Sequence, residues 1–459
     1  MRPLALLLAC CLLAAAPPAR EPPVGAVSVA SLRHTVEALV AFGTRHTLSS
    51  QSDPKRGIGA ARTWIEQQFR ADSDACGGCL KIETPSDTVT GNRIPDPTKI
   101  VDVIAVQRGT SDPQRVVIIA GHIDSRVTDV MNASADAPGA NDDGSGVAAV
   151  MEAARLLSRH RFPATIVYAA LSGEEQGLYG GKLLAQFAKS QGWHVEAMLN
   201  NDIVGNSCAA DGRCDAAHVR VFSEGVRADA TTDLLDAQRS LGGENDSPSR
   251  NLSRFIAALA DRLRGSLEVR QVWRSDRFGR GGDHLPMLEA GFPAVRFTAA
   301  LENYNRQHQD VRTERGTDYG DTVAGMDFLY LAKVAQLDVA ALAALASAPA
   351  PPSAAAEGAV SSDTRLSWSS SPGAARYRIS WRRTDAPGWT NTILVPGSAT
   401  SHVLKGIRVD DWIFGVSALS ADGHESPVAS ALPGGAFAPL ADQTAATAAP
   451  GTKPPGPRR

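Results

Sequence analysis

The sequence predicts an α/β fold, with a mostly parallel central sheet flanked by helices, followed by a small all-β domain. Three observations predict it. The apolar runs at residues 116–120 and 165–171 are continuous rather than alternating, which marks strands covered on both faces. Helical patterns lie between such runs, with Val147, Met151, Ala154 and Leu157 at helical spacing and a second pattern over 255–263. Beyond residue 360 the period changes to two. A length of 459 residues suits two or three domains at about 150 residues each.

The first 22 residues read as a secretory signal peptide. Arg2 precedes an apolar run over 4–16, and small residues and prolines follow it. The run is short for a bilayer span, and no other stretch approaches 18 apolar residues, so no transmembrane anchor is expected. The expected location is secreted or periplasmic. Leu8-Ala9-Cys10 faintly resembles a lipoprotein box. Of six cysteines, Cys10 and Cys11 fall in this leader. The other four form two close pairs, Cys76 with Cys79 and Cys208 with Cys214, which suggests small disulfide loops in an exported protein. Asn132, Asn245 and Asn251 stand in glycosylation-type sequons. The net charge of −3 lacks the basic footprint of a nucleic-acid protein or a polybasic membrane binder.

Residues 27–345 carry the alternating strands and helices, with strands also expected at 100–106, 197–199 and 295–297. Such a sheet binds ligands in the crevice beyond the carboxyl ends of its strands. Residues 346–360 are Ala/Pro-rich and nearly uncharged, and read as a linker. Over 361–432, Leu366 and Trp368, then Tyr377, Ile379 and Trp381, then Trp412, Phe414 and Val416 alternate with other residues. This is the pattern of a β-sandwich. The segment resembles a fibronectin type III domain, with Trp368 early, Tyr377 in the middle and Leu404-Lys405-Gly406-Ile407 before a strand. Trp412 stands near where that fold usually has a tyrosine. The tail over 433–459 has the composition of a disordered segment.

Five segments place candidate ligands just after predicted strands. His122 ends the first, Gly121-His122-Ile123-Asp124-Ser125, where Asp124 can orient the imidazole through its second nitrogen. Asp142 and Asp143 stand in a glycine-rich turn before a helix, where one carboxylate can bridge two cations or simply cap the helix. Glu174 and Glu175 follow the third strand, and adjacent carboxylates repel without a cation or proton between them. A solvated acidic turn is the plain alternative. Asp202 follows another strand, and His308 lies about a hundred residues later; alone, each has a structural explanation. Together they offer two imidazoles and several carboxylates to one sheet edge, a donor set suited to a pair of zinc ions.

In order and spacing, GHIDS, GANDDGSG, GEEQGLYG, NNDIVG and the His308 segment resemble the co-catalytic di-zinc aminopeptidases of the transferrin receptor and glutamate carboxypeptidase superfamily, over residues 30–345. The resemblance implies a bridging Asp142, one zinc completed by His122 and Asp202, the other by Glu175 and His308, and Glu174 as general acid/base. It implies peptide substrates with a free N-terminus, with Asp124 also in the catalytic group. His284 resembles a further segment near the pocket. Gln307 stands where some members carry tyrosine, and Tyr304 lies three residues upstream. A carboxypeptidase or glutaminyl cyclase on the same scaffold is the nearest alternative, and Arg277 and Arg280 could serve a substrate carboxylate. A non-catalytic receptor-like protein is the alternative of another class, but it should have lost ligands, and none is missing.

Overall fold

A computed structural model describes residues 23–438. The predicted leader and residues 439–459 lie outside the described residues. The first unit runs α1 (Val29–Val40), α2 (Ile58–Ala75), β1 (Leu80–Glu83), β2 (Ser86–Gly91), β3 (Ile94–Val101), β4 (Val103–Gln107), β5 (Asp112–His122), α3 (Gly144–Leu157), β6 (Ala164–Leu171), α4 (Tyr179–Ser190) and β7 (His194–Asn201). It continues with β8 (His218–Phe222), α5 (Thr232–Leu241), α6 (Pro248–Ala260), β9 (Glu268–Val272), α7 (His284–Glu289), β10 (Ala294–Ala299), β11 (Arg312–Glu314), β12 (Thr317–Tyr319) and α8 (Phe328–Ser347). The C-terminal strands are β13 (Ala354–Glu357), β14 (Thr364–Trp368), β15 (Arg376–Arg383), β16 (Asn391–Pro396), β17 (Ser401–Leu404), β18 (Trp412–Leu419) and β19 (Ala429–Ser430).

Eight strands form the main sheet in the order β1-β4-β6-β5-β7-β10-β8-β9. Its centre, β6-β5-β7-β10, is parallel. The continuous apolar run of β5 has its explanation here. Val117 and Ile119 enter a core with α1, α3 and α8, while Val116, Ile118 and Ala120 enter a second core with α4 and α7 on the other face. Helix α8 is long and apolar enough to cross a bilayer by composition. It is instead largely buried within the first core, and it contains Lys333 and Asp338.

Three sequence expectations change. The run at 100–106 is two strands, because Asp102 turns inward between β3 and β4 and accepts a hydrogen bond from the Ser172 amide at 2.9 Å. Residues 346–360 are not merely a linker. They finish α8 and supply β13, which pairs antiparallel with β14. Its alanines alternate inward but are too small to register as a hydrophobic pattern. Disorder expected from 433 does not hold over the described residues 433–438, where Phe437 is buried and Arg227 donates to the carbonyls of Ala436 and Ala438 at 3.1 and 3.2 Å.

The C-terminal strands make two antiparallel sheets, β13-β14-β17 and β16-β15-β18-β19. Leu366 and Trp368 from one and Tyr377, Ile379, Phe414 and Val416 from the other share one core. Both close cysteine pairs are disulfides, Cys76–Cys79 and Cys208–Cys214.

Candidate metal centre

The ligand candidates collect beyond the carboxyl ends of three neighbouring parallel strands. His122 is the last residue of β5, Glu174 and Glu175 follow β6, and Asp202 follows β7. Asp142 arrives from the loop before α3 and His308 from the loop after β10. The Asp142 carboxylate spans the two imidazoles. Its Oδ1 lies 3.2 Å from Nε2 of His122 and its Oδ2 lies 3.0 Å from Nε2 of His308. His308 Nε2 is also 3.0 Å from Oε1 of Glu175, and His122 Nε2 is 4.0 Å from Oδ1 of Asp202. Two groups of three can therefore hold an ion: His122, Glu174 and Asp202, and Asp142, Glu175 and His308, with ligand atoms in each group within 4.8 Å of one another.

The local chain is shaped to aim these groups. Asp143, not Asp142, caps α3, accepting from the Gly146 amide at 2.9 Å and from the His122 amide at 3.0 Å. The two readings of that motif are thus divided between adjacent residues. A Cβ at Gly146 would collide with the Asn201 carbonyl, so only glycine lets α3 approach β7 this closely. Ile203, just after Asp202, and His308 itself hold positive φ, 61° and 53°. For a β-branched residue such as Ile203 that backbone is strained, and strain of this kind gathers at functional sites.

Asp124 lies beneath the ligands, fully buried. Its carboxylate accepts from the amides of Gly173, Glu174 and Glu175 at 2.9, 3.2 and 3.0 Å, and from Thr47 Oγ1 at 2.9 Å. The hydrogen bond of His122 Nδ1 goes chiefly to the Asp124 backbone carbonyl, at 2.9 Å, with the carboxylate at 3.6 Å. The sequence expectation of a carboxylate–imidazole pair becomes a carboxylate that sets the Glu174–Glu175 turn.

Two supporting residues carried little or no sequence signal. Asp321 accepts from the amides of Asn141 and Asp142, the latter at 2.7 Å, and so fixes the bridging residue. Arg296, on β10, approaches Asp202 Oδ1 at 2.8 Å from full burial. Its only sequence trace is a charge interrupting an apolar strand. His284 stays away from the ligands. Its Nε2 meets the Ser275 carbonyl at 2.8 Å and Asp276 at 3.4 Å, and Asp276 in turn pairs with Arg296. Tyr304 is 60% exposed and does not line the ligand cavity, whereas Gln307 donates to Asp142 Oδ2 at 3.3 Å.

The electrostatics call for a cation. Burial pushes the Glu174 carboxyl well above its usual range, with repulsion from Glu175 and Asp202 added and attraction from His122 opposing. Burial also works against charge on His308, but Glu175 and Asp142 outweigh it and push its imidazole up to about 10. His122 Nε2 and Glu175 Oε1 are buried and face the cluster, and their close neighbours, Asp142 Oδ1 at 3.2 Å and His308 Nε2 at 3.0 Å, are not in good hydrogen-bond geometry. Such ligand-type atoms among four carboxylates are what a bound cation satisfies. The site opens into a cavity of about 490 Å³, whose wall also includes Arg126, Arg277 and Arg280.

Comparison with known proteins agrees with this geometry. The model of "Peptidase family M28" matches residues 102–324, a stretch that holds all six ligand candidates. A "Probable zinc metalloprotease" of Pyricularia oryzae is 44% identical over 422 residues, covering 90% of this chain and 84% of the relative. The chain belongs to peptidase family M28. A second relative, from Pyrenophora tritici-repentis and named in the same words, is 43% identical over 90% of this chain and 86% of its own. Both matches run past the M28 segment into the C-terminal sheets, since 90% of the chain cannot be accommodated before them. Among solved structures, the M28 chain is similar to LapB of Legionella pneumophila at TM-score 0.50 and 19% identity, covering 70% of this chain and 72% of that one. The LapA aminopeptidase of the same organism gives TM-score 0.50 and 20% identity, over 71% and 72%. At such identity these two show the shared fold.

Proposed function

We propose that this M28 peptidase is an exported aminopeptidase with a dinuclear zinc centre. One observation carries the reading: the Asp142 carboxylate turns one oxygen to each histidine, between two groups of three donors. His122, Asp202 and the shared Asp142 would hold one zinc, and Glu175, His308 and Asp142 the other. The relatives' printed name, zinc metalloprotease, supports the choice of metal. Bound zinc supplies Lewis acidity and lowers the pKa of water.

The chain's own residues supply the rest. Glu174 lines the cavity within the His122–Asp202 group, on a turn fixed by Asp124. Its raised proton affinity suits a group that takes a proton from the attacking water and returns it to the leaving amine. Asp142, Glu174, Glu175 and Asp202 give the cavity one acidic side, a match for a substrate α-ammonium. Export is supported by the leader-like first 22 residues and by two disulfides. We read the C-terminal sheets as a fibronectin type III-like module.

A second reading has its own observation. Arg126, Arg277 and Arg280 also line the cavity and could hold a C-terminal carboxylate, as a carboxypeptidase requires. The experiment is hydrolysis of matched peptides blocked at one end or the other, with metal analysis of the purified protein. Cleavage that needs a free N-terminus, two zinc ions per chain and inhibition by chelator are expected. Cleavage of N-blocked peptides only, or a protein without zinc, would overturn the aminopeptidase reading.

A further inference from the structure

A second hollow, of about 800 Å³, lies beside the ligand cavity, and the two share a wall. Arg277 and Arg280 line both. The second hollow is also lined by aromatic rings, Trp273, Phe278 and Tyr304. Phe278 is 91% exposed and Tyr304 60%. Large apolar side chains grouped in water beside an active site mark a surface that something covers. Arginines sit on these rings. The Arg274 guanidinium lies 5.9 Å from the Phe278 centroid and that of Arg280 lies 5.7 Å from the Tyr304 centroid.

The charge of this hollow is unbalanced. Arg220, Arg274, Arg277 and Arg280 face one carboxylate, Glu302. That carboxylate is already engaged, at 2.7 Å from Arg220, 2.7 Å from Arg280 and 3.5 Å from Arg277. Arg274 is exposed and has no acidic partner among the described residues. A volume of this size accommodates a small ligand such as two or three peptide residues.

We propose that this hollow binds the part of a peptide substrate downstream of the scissile bond, preferring an aromatic side chain next to a carboxylate. The inference rests on the peptidase reading for its direction: one end of the peptide enters the metal cavity and the rest crosses Arg277 and Arg280. The aromatic side chain packs on Phe278 and Tyr304, and the carboxylate pairs with Arg274. The carboxylate can come from an acidic side chain or from the free C-terminus of a short peptide, which present the same chemistry.

The test is equilibrium binding to zinc-loaded Glu174→Gln protein, which leaves peptides intact. The probes are Leu-Gly amide, Leu-Gly-Phe-Glu amide, its Gln analogue, and Leu-Gly-Phe with a free C-terminus. The Phe-Glu peptide is expected to bind at least tenfold tighter than the dipeptide. Phe278→Ser and Arg274→Gln are each expected to reduce that preference by about tenfold, with Arg274→Gln acting only on probes that carry a carboxylate. Loss of affinity in the Gln analogue assigns the side-chain source, and retention by the free-acid tripeptide assigns the terminal one. Equal binding of all probes, or equal losses for long and short probes in both variants, would overturn the proposal. Hydrolysis of leucine anilide by the wild-type chain tests the peptidase reading separately. A chain inactive on anilide that keeps this binding preference would retain the hollow and lose that reading.

Discussion

Two clusters of buried charge in this chain have opposite designs. At the metal centre, four carboxylates and two imidazoles converge, and His122 Nε2 and Glu175 Oε1 make no well-aligned hydrogen bond. Where the C-terminal sheets meet α6, one carboxylate is enclosed by two arginines. Arg382 Nη2 donates to both oxygens of Asp246 at 2.6 and 2.8 Å, and Arg254 Nη1 reaches it at 3.3 Å. The remaining donors of those arginines largely find carbonyls, with Arg254 Nε meeting Pro387 O at 2.8 Å and Arg382 Nη1 meeting Ala386 O at 2.6 Å. The second cluster balances its charge within the protein, with Arg382 Nε the one guanidinium atom of the pair left without a partner, and it fastens the two units together. The first is anionic and incomplete, and that is what makes it a site. Residue types alone do not separate structural from functional charge; the partners do.

The sharpest break in the comparison is Glu174→Gln. It removes the proton carrier but no ligand of the proposed zinc pair, so turnover should fall by about 10²- to 10⁴-fold with zinc content unchanged by elemental analysis. A variant that keeps wild-type rates would assign the base elsewhere.

A third fate for a buried carboxylate is a proton. Asp338, in α8, is fully buried with no cation beside it among the described residues, and the Asn201 amide lies alongside without good hydrogen-bond geometry. Burial pushes its carboxyl up to about 8, with Asn201 only partly opposing. The folded pKa is raised above the ordinary 3.8, so the folded state holds the proton more tightly. This contribution to stability is complete below about pH 4 and is lost as pH rises through about 8, a change of a few kcal/mol. Asp338→Asn should flatten the dependence of Tm on pH across that window. An unchanged slope would mean that Asp338 titrates normally.

How much of this was legible follows from the same contrast. The ligands were readable because each follows a strand end within a short glycine-rich or acidic motif, and parallel strands bring their carboxyl ends together. Asp321 was not readable. It meets Asn141 from 180 residues away and belongs to no motif. The pairing of Asp246 with Arg382, 136 residues apart, was hidden for the same reason: it exists only once two units dock. β13 was hidden because Ala-Ala-Ala-Glu offers no contrast of hydrophobicity, although its register with β14 is regular.

At the interface the expected loss is in stability, not in rate. Asp246→Asn leaves Arg254 and Arg382 buried without their anion, at a cost of about 3 kcal/mol. The urea midpoint should fall, with kcat on a small anilide kept within about twofold because no ligand is touched. A fall in kcat much larger than the change in folded fraction would show that the docked sheets also shape the active site.

Metal removal is the smallest of these effects and bears most directly on the difference between the clusters. A cation that binds only the folded chain stabilises it by about 2.7 kcal/mol when its free concentration is a hundredfold above Kd. Chelator should therefore lower the unfolding free energy of the wild type by about that amount for each ion removed, read as a fall in the unfolding midpoint. It should lower the Asp246→Asn variant by the same further amount, because distant sites with no shared partner add. In Asp142→Asn, where the bridging charge is gone, the chelator shift should shrink towards zero. A full shift in that variant would mean that the stabilising ion sits elsewhere, and the incomplete cluster would lose its claim to be the metal centre.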